Sequence, residues 1–244
     1  MLRLPRLSRL PRLPRPGPRR GRLFRFGWWV ARGFVWFVGL SLFFVVLFKW
    51  LPVPVTATMI LDNNGITKDW TPLSRIDRNM VAAVIAGEDG KFCAHNGFDM
   101  EAMQKAYARN QRGGRVRGGS TISQQTAKNV FLWQGGGYFR KGLEVWFTFL
   151  IENIWGKRRI MEVYLNVAET GIGTYGVEAG SQRYFGHSAA KLTRIEAARI
   201  AAALPAPKKR DVIAPGGFTR RHGNAIAARS GVVKRSDYDE CVYE

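Results

Sequence analysis

The sequence predicts a mainly α fold carried behind one N-terminal transmembrane helix. Three observations predict it. Residues 33–48 run without a single charge. Beyond residue 70 the apolar residues recur at helical spacing, between residues suited to cap and stop helices. Strand-like alternation is scarce, and no repeat of 20–50 residues is present. The 244 residues allow one domain of about 150–200 residues plus appendages.

In order, residues 1–27 form a cationic arm. Leu4-Pro5-Arg6 recurs as Leu10-Pro11-Arg12 and Leu13-Pro14-Arg15, and five prolines by position 18 forbid a continuous helix. Nine arginines precede Trp28, and no acidic residue occurs before residue 52. The arm reads either as a tether to anionic lipid or, more plainly, as the positive-inside signal. Residues 28–51 are the anchor. Trp28, Trp29 and Trp50 suit the two interfaces, and Arg32 and Lys49 can snorkel. A cleaved signal peptide is the rival, with Val55-Thr56-Ala57 as a weak small-residue site. The apolar run is long for that, so an uncleaved anchor with its N-terminus inside is expected. Leu51-Pro52-Val53-Pro54 ends the helix.

Residues 52–215 are the expected catalytic domain. Residues 59–62 read as a short strand entering a turn at Asn63-Asn64-Gly65. A helix beginning at 74–77 carries Ile76, Met80, Ala83 and Val84 inward and ends near Gly87, so Glu88 opens onto a loop. Asp99 is a candidate N-cap, and Met100, Met103 and Tyr107 read as a core stripe. Residues 110–119 form a glycine-rich basic loop, with Ser120 as the expected N-cap of the next helix. Residues 138–155 predict the central helix, and 157–166 another with Ile160, Val163 and Tyr164 inward. Gly171, Gly173 and Gly176 suggest a flexible connection. Thr193 and Glu196 form a capping box, and Pro205 stops that helix. Residues 216–244 read as a weakly patterned basic extension with an acidic end. Cys93 and Cys241 are too few for a disulfide framework. Two free thiols are expected rather than one bridge.

The net charge is +20, and residues 52–244 alone keep 27 basic against 18 acidic side chains. Such a balance favours polyanionic partners: nucleic acid, lipid head groups or phosphorylated substrates. Glu88 at a buried helix end is a usable general base or acid, with Asp89, Lys91 and His95 close by. Glu144, on an apolar helix, is the second carboxylate. Gly118 and Gly119 allow close backbone approach, and Ser120 and Thr121 open a helix N-terminus. Lys128 follows two turns on, and Arg140 and Lys141 add charge. The Gly-Lys-Ser/Thr order of a P-loop is absent. Each cluster alone is a solvated face; together they suggest a phosphorylated substrate beside two carboxylates. His187 and His222 have no neighbouring ligand set, and no Ser-His-Asp pattern is visible.

The blocks carrying these residues resemble the signatures of the family 51 glycosyltransferases. They are Glu88-Asp89 with Phe92, His95, Gly97 and Asp99; Gly118 to Gln125; Arg140-Lys141 with Glu144; Lys157 to Asn166; and, more loosely, Arg194 to Pro207. The resemblance implies a lysozyme-like fold that polymerises lipid II into glycan strands. Glu88 would deprotonate the acceptor 4-hydroxyl, which attacks the donor C1 with inversion and releases undecaprenyl pyrophosphate. Lys128, Arg140 and Lys141 would hold the pyrophosphate, and Glu144 would assist the leaving group or a metal. Asp89, Phe92, His95, Gly118, Gly119, Ser120, Thr121, Gln124, Gln125 and Asn129 would complete the substrate site. A divalent cation such as Mg²⁺ is implied, with no ligands assigned. So are an inner-membrane anchor, a cytoplasmic N-terminus, a periplasmic domain, and partners in wall synthesis and division. Nucleic acid is not expected. An arginine that many relatives carry between the second and third blocks is replaced near Gly136, and the basic loop Arg109 to Arg117 could supply that contact. A lysozyme-like lytic enzyme and a non-catalytic membrane scaffold are the alternatives.

Overall fold

The computed structural model describes residues 22–111 and 119–244. They fall into two units, Met1–Phe43 and Phe44–Glu244. The first contains most of α1 (Arg22–Trp50), a helix long and apolar enough to cross a membrane. At about 1.5 Å per residue it spans roughly 43 Å, enough for the hydrocarbon core and both interfaces. The arm before it lies outside the described residues.

The second unit begins within α1. The Trp155 indole N–H donates to Val45 O at 2.7 Å, and the Arg159 guanidinium donates to the carbonyls of Phe48 and Leu51. The Phe48 contact satisfies a carbonyl that a helix end leaves without a partner. Then follow α2 (Ala57–Ile60), β1 (Thr67–Lys68), α3 (Arg78–Glu88), α4 (Met100–Gln111), α5 (Ile122–Phe131), α6 (Gly137–Ile154) and α7 (Lys157–Val167). The chain continues with β2 (Glu169–Gly171), β3 (Thr174–Tyr175), α8 (Val177–Phe185), α9 (Arg194–Ala203) and α10 (Gly217–Arg235). The fold is mostly helical, as the sequence predicts.

Two packed groups position the site. α3, α9 and α10 pack on one another, and α5 packs between α6 and α7. The first group is close because its contact residues are small. Ala197, Ala198, Ala201, Ala202 and Ala203 of α9 are buried. A Cβ on Gly87 would stand 3.0 Å from the Ile226 side chain of α10. α3 itself is apolar on nearly every face from Met80 to Ile85, so it runs through the core and delivers its last residue, Glu88, to the edge.

Several local expectations are corrected. Residues 57–60 form a helical turn rather than a strand, capped by Thr56. Thr121, not Ser120, is the N-cap of α5, in a capping box with Gln124. Met100 and Tyr107 are exposed, because α4 lies at the edge of the domain and buries Ala106 instead. The glycines of 171–176 do not make a loose link. β2 pairs antiparallel with β3, and β3 pairs parallel with β1. Residues 216–244 are not weakly structured. α10 is a 19-residue helix whose Ile226, Ala227 and Val233 are buried, a stripe diluted in sequence by the arginines between them. Cys93 and Cys241 are joined in a disulfide with Cα atoms 5.6 Å apart. Their separation of 148 residues hides a proximity that only tertiary folding creates.

Candidate active site

Asp89 is the C-cap of α3 and is buried. Its carboxylate takes the Ile122 N–H at 3.0 Å and contacts His95 Nε2 at 3.0 and 3.1 Å. Asp89 therefore ties the end of α3 to the start of α5, where free amides and the helix dipole favour a negative charge. Thr121 Oγ1 donates to Gly97 O at 2.6 Å and fixes the intervening loop to the same point. Gly97 has φ 87°, and a Cβ there would lie 2.9 Å from Thr148, so this close turn requires glycine. Beneath the loop, Lys157 Nζ donates to His95 O at 2.6 Å and to Glu152 at 2.8 Å, and lies 4.6 Å over the Phe92 ring. Ser123 completes that network on Glu152.

On this frame Glu88 faces Gln125. The amide Nε2 donates to Glu88 Oε2 at 2.8 Å, while Gln125 Oε1 accepts from Tyr164 at 3.4 Å. The Tyr164 hydroxyl thus fixes which way round the amide lies. Burial pushes the Glu88 carboxyl above its ordinary range. Gln125, Arg210 and Lys128 pull it back, and Asp89 adds to the rise.

Gln125, Lys128 and Asn129 share one face of α5 by their spacing and line a cavity of about 590 Å³ with Tyr164, Asp62 and Lys208. That volume lies within the range of small-ligand sites. Burial pushes the Lys128 ammonium below its ordinary range. Glu144 and Glu88 raise it, and Arg140 and Lys141 depress it further. Among the described residues Lys128 donates no hydrogen bond.

The second carboxylate is arranged differently. Glu144 is 3% exposed, with Arg140 Nη1 at 2.6 Å on one oxygen and Lys141 on the other. Lys141 also reaches Ser120 Oγ at 3.4 Å. These cations stand near the N-terminus of α6, which has no acidic residue in its first turn. There they oppose the helix dipole, which a structural role would avoid. Gly136 caps α6 with φ 80°, and a Cβ on it would meet Arg140 Cβ at 2.9 Å. An arginine there would not fit this loop. Instead Arg140 Nε donates to Gly135 O.

The expected residues therefore divide. Glu88, Gln125, Lys128, Asn129, Arg140, Lys141, Glu144 and Ser120 remain as the candidate working face, joined by the contacts of Gln125 with Glu88 and of Arg140 and Lys141 with Glu144. Phe92, Asp89, Thr121 and Gln124 are buried and build the frame, with His95 beside Asp89, so these side chains have little or no surface for a ligand. Gly119 meets the backbone of α4, where a Cβ would be 3.2 Å from Met103 Cα. Gly118 lies outside the described residues, as do Arg112, Arg115 and Arg117. Arg109 Nε is spent on Lys105 O. Sequence reasoning missed Glu152 and Lys157 under the loop, and Tyr164 behind Gln125. Lys157 and Tyr164 did stand in the fourth block. It also missed the cavity wall, where Tyr175 and Lys208 donate to Asp62 at 2.7 and 2.9 Å.

The comparisons with known proteins agree with this geometry. A family described as Transglycosylase matches residues 56–233. A "Biosynthetic peptidoglycan transglycosylase" of Caulobacter vibrioides is 53% identical over 201 residues, covering 81% of this chain and 88% of that protein. A protein of the same description from Pseudomonas putida is 46% identical, with coverages of 84% and 88%. Another from Pseudomonas aeruginosa is 43% identical, with coverages of 84% and 92%.

Proposed function

The chain belongs to the transglycosylase family, and from that premise we propose how its residues carry the reaction. It is a peptidoglycan glycosyltransferase that polymerises glycan chains from lipid II in cell wall synthesis. In our reading Glu88 is the base. Its carboxylate takes the proton of the acceptor 4-hydroxyl as that oxygen bonds to the donor C1. The bond from C1 to the pyrophosphate oxygen breaks, and the electron pair leaves with the pyrophosphate. Burial that raises the carboxyl makes the Glu88 carboxylate a stronger base.

The observation that carries this reading is Lys128. A half-buried ammonium that lines the cavity and donates no hydrogen bond among the described residues is partly stripped of water and is favoured by an arriving anion. Arg140 and Lys141 exceed Glu144 by one positive charge, and Lys128 adds a second. A diphosphate diester brings two negative charges and gains another as it leaves, so the cluster favours the departing group over the bound one. A lysozyme-like hydrolase would also use a carboxyl raised by burial. It would have no use for such a cation cluster.

The test is binding of undecaprenyl diphosphate, which cannot react as a donor, to wild type and to Lys128→Met. At least tenfold weaker binding by the variant is expected. Equal binding would remove Lys128 from the site.

We further propose that a divalent cation, where used, comes with the substrate. Among the described residues no group of three His, Cys, Asp or Glu side chains could hold an ion, and both Glu144 oxygens are taken by cations. The described residues do not fit a protein-held metal. We place the anchor in the inner membrane with the catalytic unit outside, on the arginine excess before Trp28.

A further inference from the structure

We propose that the C-terminal segment, residues 237–243, is a brace that positions Glu88, an inference that rests on reading Glu88 as the base. The segment grips the chain on both sides of that residue. After α10 the backbone reverses at Asp237, whose φ of 49° is the sole positive value at a non-glycine position among the described residues. Aspartate tolerates this conformation better than most residues. The reversal turns the segment toward the start of α3.

There Arg78, the first residue of α3, is held in a fork. Its Nε and Nη2 donate to the two oxygens of Asp239 at 2.8 and 2.7 Å, and Nη2 also meets Asp237 at 3.0 Å. The Asp239 side chain is fully buried and that of Arg78 is 40% exposed, so the bidentate pair is shielded on its carboxylate side. The Tyr243 ring lies 5.4 Å from the same guanidinium. Val242 is fully buried, and its carbonyl accepts from Arg158 of α7 at 3.0 Å.

At the other end Cys241 is bonded to Cys93. Cys93 lies in the short helical turn Phe92–Ala94, between Asp89 and His95, which contact each other at 3.0 Å. One short segment thus holds the first residue of α3 and the turn that follows its last. α3 can neither slide along its axis nor let the loop lift without breaking the ion pair or stretching the disulfide. No other described element touches both ends of the helix that presents Glu88 by a covalent bond and a bidentate ion pair. The cysteines, Asp239 and Arg78 are positioning residues, because none of them reaches the reacting atoms.

The experiment compares lipid II polymerisation by the full chain, oxidised and after reduction with a phosphine, across pH. Reduction is expected to lower kcat about tenfold, since small displacements of a reacting group are costly. KM should stay within about twofold, and reoxidation should restore kcat. The acid limb of the rate profile should move to lower pH as water reaches Glu88. Unchanged kcat and an unchanged limb after reduction would overturn the brace, as would two alkylatable thiols in the unreduced chain. Should reduction unfold the chain, Asp239→Asn in the oxidised protein decides. A fall in kcat with the same shift of the limb supports the brace. Full kcat with only a lower Tm overturns it. Glu88→Gln separates the two readings. If that variant still polymerises, the assignment of the base fails. If it is dead while the reduced chain is fully active, the brace alone fails.

Discussion

Glu88 is half-buried and Glu144 is buried, each within reach of the Lys128 charge, and the two carboxylates are put to opposite uses. At the end of α3 the carboxylate accepts from one neutral amide, and the charges of Arg210 and Lys128 only partly offset its burial. On α6 the carboxylate is held between Arg140 and Lys141, and its charge is more than balanced. The first arrangement stores basicity. The second stores positive potential and aims it. What a buried carboxylate can do is therefore set by its partners more than by its depth.

The largest effect should come from breaking the first half of that comparison. Glu88→Gln keeps the shape and the contact with Gln125 but removes the base, and kcat should fall by about 10²- to 10⁴-fold with the fold intact. Steady-state polymerisation with a circular dichroism control checks it. Near-normal turnover would mean that burial at this position serves packing.

Glu144→Gln breaks the other half. Arg140 and Lys141 lose the group that holds them side by side. A fall in kcat of about tenfold to a hundredfold is expected. The loss of stability should be about 3 kcal/mol, because Arg140 is only 16% exposed and loses its counter-ion, while solvent takes over the charge of Lys141. Urea unfolding beside the rate assay separates the two effects. A large destabilisation with normal turnover would reverse the roles given to these carboxylates.

Lys128→Met sharpens the comparison, since function and stability should move in opposite directions. The folded chain holds the Lys128 ammonium below its ordinary range, so its charge works against folding. For a lysine lowered in this way, stability rises as pH climbs from the folded value toward the unfolded one. The variant removes that cost, and Tm should rise by about 2–4 °C, near 1 kcal/mol for a chain of this size. The KM for lipid II should rise about tenfold. A lower Tm measured by calorimetry would show that Lys128 is satisfied in the resting protein.

The smallest effect belongs to the frame. Thr121→Ala removes the N-cap of α5 and the bond to Gly97 O, at a cost of about 1–2 kcal/mol. Turnover should change less than threefold, because Asp89 still holds the Ile122 amide.

The sequence made some of this legible and hid the rest for physical reasons. Helical spacing found α6, α7 and α9, because each has a continuous buried stripe between clear stops. It missed the helical character of α10, where glycines, alanines and arginines dilute the stripe. The working face was readable because Gln125, Lys128 and Asn129 lie together on one helix, and so do Arg140, Lys141 and Glu144. The frame was not. Ser123, Glu152 and Lys157 meet only through folding, and so do Cys93 and Cys241. Phe92 and Gln124 sit in the same blocks as the working residues, and only burial tells the two kinds apart.

The measurement that tests the central claim most directly is the pH dependence of kcat/KM for lipid II polymerisation by the wild-type chain. Glu88 acts as a base only when ionised, and its folded value lies above the ordinary carboxylate range. Activity should therefore rise with pH through a single limb whose midpoint exceeds that of an exposed glutamate, near 4.3. A midpoint at or below that value would contradict the account, as would a rate that is flat across the acid range.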